Sequence, residues 1–171
     1  SHCNISRKNS NFFKKFSIFV ALITNIVNDN ANYLVMATKQ RTLASAISFE
    51  GKGLHTGLQV QMTVLPAEEN TGIVFRRVDI EGTPVVPALC EYVSDTSRGT
   101  TIEKGEAKVS TIEHIMSALW TLGIDNAQID INAPETPIMD GSAKEYAARI
   151  LEVGSVEQSA ERKYYEVTEK Q

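Results

Sequence analysis

From Met36 onward, apolar and polar positions recur in two different periods, and the change of period organises the chain. The first period is two. Leu58, Val60, Met62 and Val64 alternate with Gln59, Gln61 and Thr63, as in a strand with one buried face. Pro66 ends that run. Ala44–Phe49 reads as the preceding strand, joined to it through Glu50–Gly57. Gly51, Gly53 and Gly57 permit a tight or bulged connection there. Ile73–Arg77 reads as a further short strand, followed by an extended, proline-punctuated stretch to Pro87. Thr100–Ile102 and Ala107–Ser110 flank Glu103–Glu106, a predicted hairpin with Gly105 at its tip.

The second period is that of a helix. Ile112, Ile115, Met116, Leu119 and Leu122 fall on one stripe, and Gly123 follows as the expected C-terminal cap. Ala127–Ile131 reads as a strand and Asn132–Ser142 as a loop stiffened by Pro134 and Pro137. Ala143–Val153 reads as a second helix, capped by Ser142 or Asp140. Gly154–Lys163 is polar and linker-like, and Tyr164–Thr168 begins another strand. Strands followed by segregated helices predict an α+β fold, a two-layer sandwich with helices packed on one face of a mostly antiparallel sheet.

Residues 1–35 stand apart. Arg7, Lys8, Lys14 and Lys15 oppose Asp29 alone, a net of +3, which leaves -7 for the remainder. The run Phe16–Val27 is interrupted by Ser17, Thr24 and Asn25 and is shorter than the roughly 20 residues a membrane span needs. The segment reads as translated sequence upstream of a start at Met36, with a signal or transit peptide as the alternative. An acidic body offers no footprint for nucleic acid. Cys3 and Cys90 have no metal-type spacing, and a single thiol in the body suits a reducing compartment. The expected compartment is the cytoplasm, or an organelle if residues 1–35 are a transit peptide.

The sharpest chemical constellation is Ser110-Thr111-Ile112-Glu113-His114, at a strand-to-helix junction. Glu113 and His114 point away from the apolar stripe, and the face below His114 carries the small residues Ser117, Ala118 and Thr121. That face is expected to be open to a bulky partner. Ser110 and Glu113 also have the spacing of a capping box, which favours a structural role for Glu113 on spacing alone. His114 alone reads as a partly exposed helix residue. His55, within Gly53-Leu54-His55-Thr56-Gly57, reads equally as a solvent-facing loop residue or as one brought near a ligand. Arg76 and Arg77 cannot form one phosphate clamp, because neighbours in a strand face opposite ways. Asp140 reads as a turn and cap residue, and Met116 and Trp120 as core or interface.

Six blocks in fixed order carry a resemblance. They are Gln40–Leu43; Gly53–Gly57; Pro66-Ala67 with Asn70–Ile73 and Phe75–Arg77; Ser110–His114; Leu122–Asn126; and Pro134-Glu135 with Pro137–Ser142. From about Lys39 to Lys170 the chain resembles the UDP-3-O-acyl-N-acetylglucosamine deacetylases, zinc hydrolases of lipid A (lipopolysaccharide) biosynthesis. The resemblance implies two α+β domains facing each other across an active site. Residues 1–35 would then be an extension, 36–156 the first domain, and 157–171 a linker and the opening strand of the second. It implies Zn2+ held by two His and one Asp. One of these His matches His114, and the other two ligands belong to an HxxxD-type helix in the family's second half. Glu113 matches the general base and His55 a substrate-binding loop residue; a further catalytic His lies in the second half. The substrate implied is an acylated UDP-sugar, and the partner is the C-terminal domain of the same protein, which would cover the face of His114, Ser117 and Thr121. No stable membrane span is implied. One departure is visible after Asp95-Thr96. Many relatives carry apolar residues and a Cys there, whereas this chain has Ser97-Arg98-Gly99-Thr100. The alternative to an amidohydrolase is a non-catalytic α+β module that binds a partner.

Overall fold

The computed structural model describes residues 38–164. The extension 1–35 with Cys3, and all but Tyr164 of the strand expected over Tyr164–Thr168, lie outside the described residues. In chain order the elements are β1 (Lys39–Leu43), β2 (Ile47–Lys52), β3 (Gln59–Pro66), β4 (Ile73–Arg77), β5 (Val85–Pro87), β6 (Val93–Asp95), β7 (Thr101–Lys104), β8 (Ala107–Val109), α1 (Glu113–Thr121), β9 (Ala127–Ile131), α2 (Lys144–Val153) and β10 (Ser155–Glu161).

Three sheets result. The central one has the order β2-β3-β9-β4-β5, with β4 and β9 parallel and the other neighbours antiparallel. Strands β6, β7 and β8 form a meander packed against β4 and β5. Strands β1 and β10 pair antiparallel. The expected α+β fold with a mostly antiparallel sheet is therefore what forms.

Register explains the core. Ile47, Val64, Ile129, Phe75 and Val86 stand opposite one another across five strands, and all are buried. Phe49, Met62 and Ile131 form the next buried row. The residues between them face the other way. Ser48 and Thr63 share a hydrogen bond there, and Arg76 forks onto Asp130 on the neighbouring strand. Because side chains alternate along a strand, one register sets both faces. Helix α2 lies on the apolar side, with the ring of Tyr146 4.8 Å from that of Phe49. The Tyr146 hydroxyl donates to the Pro137 carbonyl. Helix α1 packs against α2.

Two expectations are corrected. Leu58 was placed in the buried alternation, but it precedes β3 and is 49% exposed, because the ladder starts at Gln59. The stretch from Gly154, expected to be linker-like, contains β10. Polar side chains misled there, since a two-stranded ribbon at the periphery keeps most of them in solvent. Strand β1, not read as an element, is its partner. The pair is tied down by buried amides. Asn126 Nδ2 donates to Gln40 Oε1 and Gln158 Oε1, both at 2.8 Å, and its Oδ1 accepts the Gly72 amide at 2.8 Å. Gly123, at φ 70°, ends α1 as expected and lets the chain turn towards Asn126.

Arg77 is buried on the opposite side of β4 from Arg76. It forks onto Asp79 and donates to the Lys108 carbonyl at 2.7 Å. Both arginines are thus engaged by the protein itself. The Arg77 guanidinium holds the Asp79 carboxyl below its ordinary range, against the smaller upward push of partial burial.

Two expected outcomes follow for a polypeptide carrying this domain. Phe75→Ala lowers unfolding stability by about 3–5 kcal/mol, whereas Ser48→Ala on the opposite face changes it by under about 0.5 kcal/mol. Urea midpoints measure the contrast, and equal losses would refute the assignment of faces. The second concerns pH. A carboxyl with a lowered folded value stabilises the protein above its unfolded value of about 3.9, and that stability disappears as pH falls through the folded value. Arg77→Met is therefore less stable at neutral pH, and its gap from the parent narrows below about pH 4. A gap that stays constant down to about pH 2 would remove Asp79 from the explanation.

Candidate active site

Helix α1 begins at Glu113, on a joint built from three segments. The capping box expected from Ser110 and Glu113 does not form. The Ser110 amide and hydroxyl both donate to the Pro134 carbonyl, at 2.9 and 3.1 Å, and its own carbonyl accepts the Thr136 amide. Ser110 is thus committed to a bridge with the 134–136 loop, and Ile112 occupies the N-cap position. Glu113 is released from capping. Its Oε2 accepts the Thr100 amide at 2.9 Å. Its Oε1 lies where a Cβ on residue 99 would come within 3.1 Å, so Gly99 makes room for the carboxylate. A negative side chain in a helix's first turn is also favoured by the helix dipole.

His114 follows directly and is half-buried. Burial pushes its pKa down, and the charges of Glu113 and Asp140 pull it partly back. The net direction favours the neutral imidazole, which is the form that binds a metal. Asp140 also has the turn role expected of it: Oδ1 accepts the amide and hydroxyl of Ser142, and the Ser142 hydroxyl accepts the Lys144 amide.

The residue before the helix joint is Thr111, at φ 60°. A β-branched side chain adopts that conformation only when its surroundings impose it. Its hydroxyl and its carbonyl are both gripped. The hydroxyl donates to Glu135 Oε1 at 2.9 Å, and the carbonyl accepts the Thr136 hydroxyl at 2.6 Å. Glu135 itself has no exposed surface. It also accepts the amides of His55 and Thr56, the latter at 2.8 Å. Burial pushes the Glu135 carboxyl up, but the hydrogen bonds from Thr56, His55 and Thr111 outweigh it and hold the group below its usual range. The link from His55 to the start of α1 therefore runs through the His55 backbone amide. Its side chain lies on an exposed loop.

The face expected to be open is closed. Ser117, Ala118 and Thr121 are buried, because small side chains let α1 approach its neighbours closely. The expectation that Ser117 and Thr121 lie exposed for a second domain to cover is corrected, while His114 at the head of the helix stays partly exposed. Met116 packs on the core, while Trp120 is 62% exposed.

Glu113 and His114 are thus adjacent at the start of α1, and the His55 loop is tied to the joint before them through Glu135 and Thr111. Among the described residues no group of three or more His, Cys, Asp and Glu side chains is arranged to hold a metal ion. Among the described residues His114 could offer one imidazole to a metal, and no complete donor set is present. Sequence reasoning gave no role to Glu135 or Gly99. The signal for Glu135 was available: it is the sole charge between Ala133 and Met139, in an apolar setting that obliges a carboxylate to be paired.

A family model described as LpxC, UDP-3-O-acyl N-acetylglycosamine deacetylase, matches residues 40–171. The bifunctional enzyme LpxC/FabZ of Porphyromonas gingivalis is 52% identical over 127 residues, covering 74% of this chain and 28% of that protein. The UDP-3-O-acyl-N-acetylglucosamine deacetylase of Legionella pneumophila is 51% identical over 129 residues, covering 75% and 42%. The protein of the same name from Teredinibacter turnerae is 48% identical over 132 residues, covering 77% and 44%. The chain thus spans between 28% and 44% of the length of these relatives. With a match over most of its length, the chain belongs to the UDP-3-O-acyl N-acetylglycosamine deacetylase family.

Proposed function

We propose that a longer polypeptide carrying this chain hydrolyses the acetamide of UDP-3-O-acyl-N-acetylglucosamine in lipid A biosynthesis, with zinc as its cofactor. The observation that carries this reading is the adjacency of Glu113 and His114 at the start of α1, with the carboxylate held on the Thr100 amide. The names of the relatives, the family match and the six ordered sequence blocks support it. The binding-module alternative gives no reason for a carboxylate to be fixed beside a neutral imidazole.

His114 would be one zinc ligand, and two further ligands would come from a second domain of the same protein. Zinc, when bound, polarises a carbonyl and lowers the pKa of a water to about 7. The rest of the chemistry belongs to side chains. Glu113 is the general base. The Thr100 amide occupies Oε2 and fixes the carboxyl plane, which leaves Oε1 to take a proton as water attacks the acetamide carbon. The same group, once protonated, returns the proton to the departing amine. Gly99 keeps that oxygen uncrowded. His55, on its anchored loop, contacts the substrate and sets its position relative to Glu113. No described helix is long and apolar enough to cross a membrane. The compartment proposed is the cytoplasm, where an exposed thiol such as Cys90 stays reduced.

In the full-length protein, Glu113→Ala is expected to reduce kcat by roughly 100-fold or more, since general-base catalysis contributes about 10²–10⁴. A mass-spectrometric count of released acetate gives the rate, and an unchanged kcat would exclude Glu113 as the base. Residues 1–171 alone are expected neither to turn over substrate nor to retain zinc through dialysis, because one imidazole is too small a donor set. Stoichiometric zinc on that fragment would contradict the assignment of the remaining ligands to a second domain.

A further inference from the structure

Two groups with proposed roles, His55 and the Glu113–His114 pair, sit on segments far apart in sequence. One carboxylate bridges the segments. Glu135 Oε1 accepts the His55 amide at 3.0 Å and the Thr111 hydroxyl at 2.9 Å, while Oε2 accepts the Thr56 amide at 2.8 Å. The fit around it is close. A Cβ on residue 53 would lie 2.5 Å from Oε2, so only glycine lets the loop wrap the carboxylate. On the other side Thr111 is held at φ 60°, two residues before Glu113.

Burying a charge costs stability unless every partner is in place, and a well-packed apolar residue is often as stable or more so. Stability alone therefore gives a weak reason for a carboxylate here. Geometry gives a stronger one. The hydrogen bonds of Glu135 fix the backbone of the His55 loop and the joint from which Glu113 and His114 project. We propose that Glu135 is a positioning residue: through Thr111 and the amides of His55 and Thr56 it holds the substrate-contacting loop and the first turn of α1 in one frame. It touches neither substrate nor metal. The roles of His55, Glu113 and His114 rest on the reading in the preceding subsection, whereas the frame itself does not.

The test uses the full-length protein and three substitutions. Glu135→Gln keeps the volume but presents donors where amides and a hydroxyl now donate. Thr111→Val keeps the branched shape and removes only the hydroxyl, and Thr111→Ser restores it. In Glu135→Gln, kcat is expected to fall by about 10- to 100-fold, as for a misplacement of about 1 Å, with a rise in KM because the His55 loop is released too. In Thr111→Val, kcat falls about 10-fold with KM unchanged, and Thr111→Ser recovers it. Amide hydrogen exchange at His55 and Thr56 quickens at least about tenfold in Glu135→Gln, and the imidazole nitrogen resonances of His114 shift in both Glu135→Gln and Thr111→Val. Unchanged kcat and KM in Glu135→Gln, with only a lower Tm, would reduce Glu135 to a packing role and overturn the proposal. Should Glu135→Gln fail to fold, the Thr111 pair decides: a Val variant with parental kcat overturns it. If the parent protein shows no deacetylase activity, the functional reading fails. The exchange and resonance measurements then decide the frame alone, and unchanged His114 resonances overturn it.

Discussion

An ionised carboxylate without water must have its lone pairs filled by protein donors, or the segments around it will not stay closed. Glu135 is in that position, and the donors that fill it are backbone amides of one loop and the hydroxyl of a strained threonine in another. The requirement runs both ways. The loop 53–57 cannot close on an acceptor that is missing, and the acceptor cannot remain buried if the loop opens. Three stretches of chain that share no secondary-structure element thereby behave as one unit. The central sheet supplies the floor for this unit through the backbone pairing of Lys52 with Ile138, and the buried rows of that sheet join the apolar core.

The joint at Thr111 shows how local rules give way to tertiary ones. Ser110 has the residue type and spacing for a helix cap, and in isolation the first turn of α1 would use it. The neighbouring loop offers Pro134 and Thr136 instead, and pairing with them draws Ser110 away from the helix. The displaced Glu113 carboxylate finds the Thr100 amide, beside a glycine that leaves space around it. A group with a purely structural assignment is thereby set beside His114 with one oxygen still available.

Much of the fold was readable from residue order because its signals are local. The period-two run before Pro66, the stripe from Ile112 to Leu122 and the glycine at 123 each point to one element, and each element forms. Pairs whose evidence is distant were not readable. Strands β1 and β10 are mostly polar, and their pairing is tied down by Asn126, Gln40 and Gln158, which only the folded chain brings together. The Glu113–His114 pair could be picked out by type and adjacency, and the six-block resemblance turned a capping residue into a candidate base. The supporting groups could not. Gly99 matters through what it lacks, and Glu135 through contacts about 80 residues away along the chain. The error over Ser117 and Thr121 has the same source: small side chains signal close approach, but not by which neighbour.

The pairing of Lys39 with Glu161 spans 122 positions. During synthesis β1 leaves the ribosome long before its partner exists, and at about 5–20 residues per second the wait lasts several seconds. Throughout that interval the strand keeps an open edge, available to any other extended segment. Lys39 and Arg41 in that strand place positive charge on the waiting edge, a feature that discourages pairing with strangers. The domain thus closes last where it began first, and its entry and exit points are side by side once it has done so.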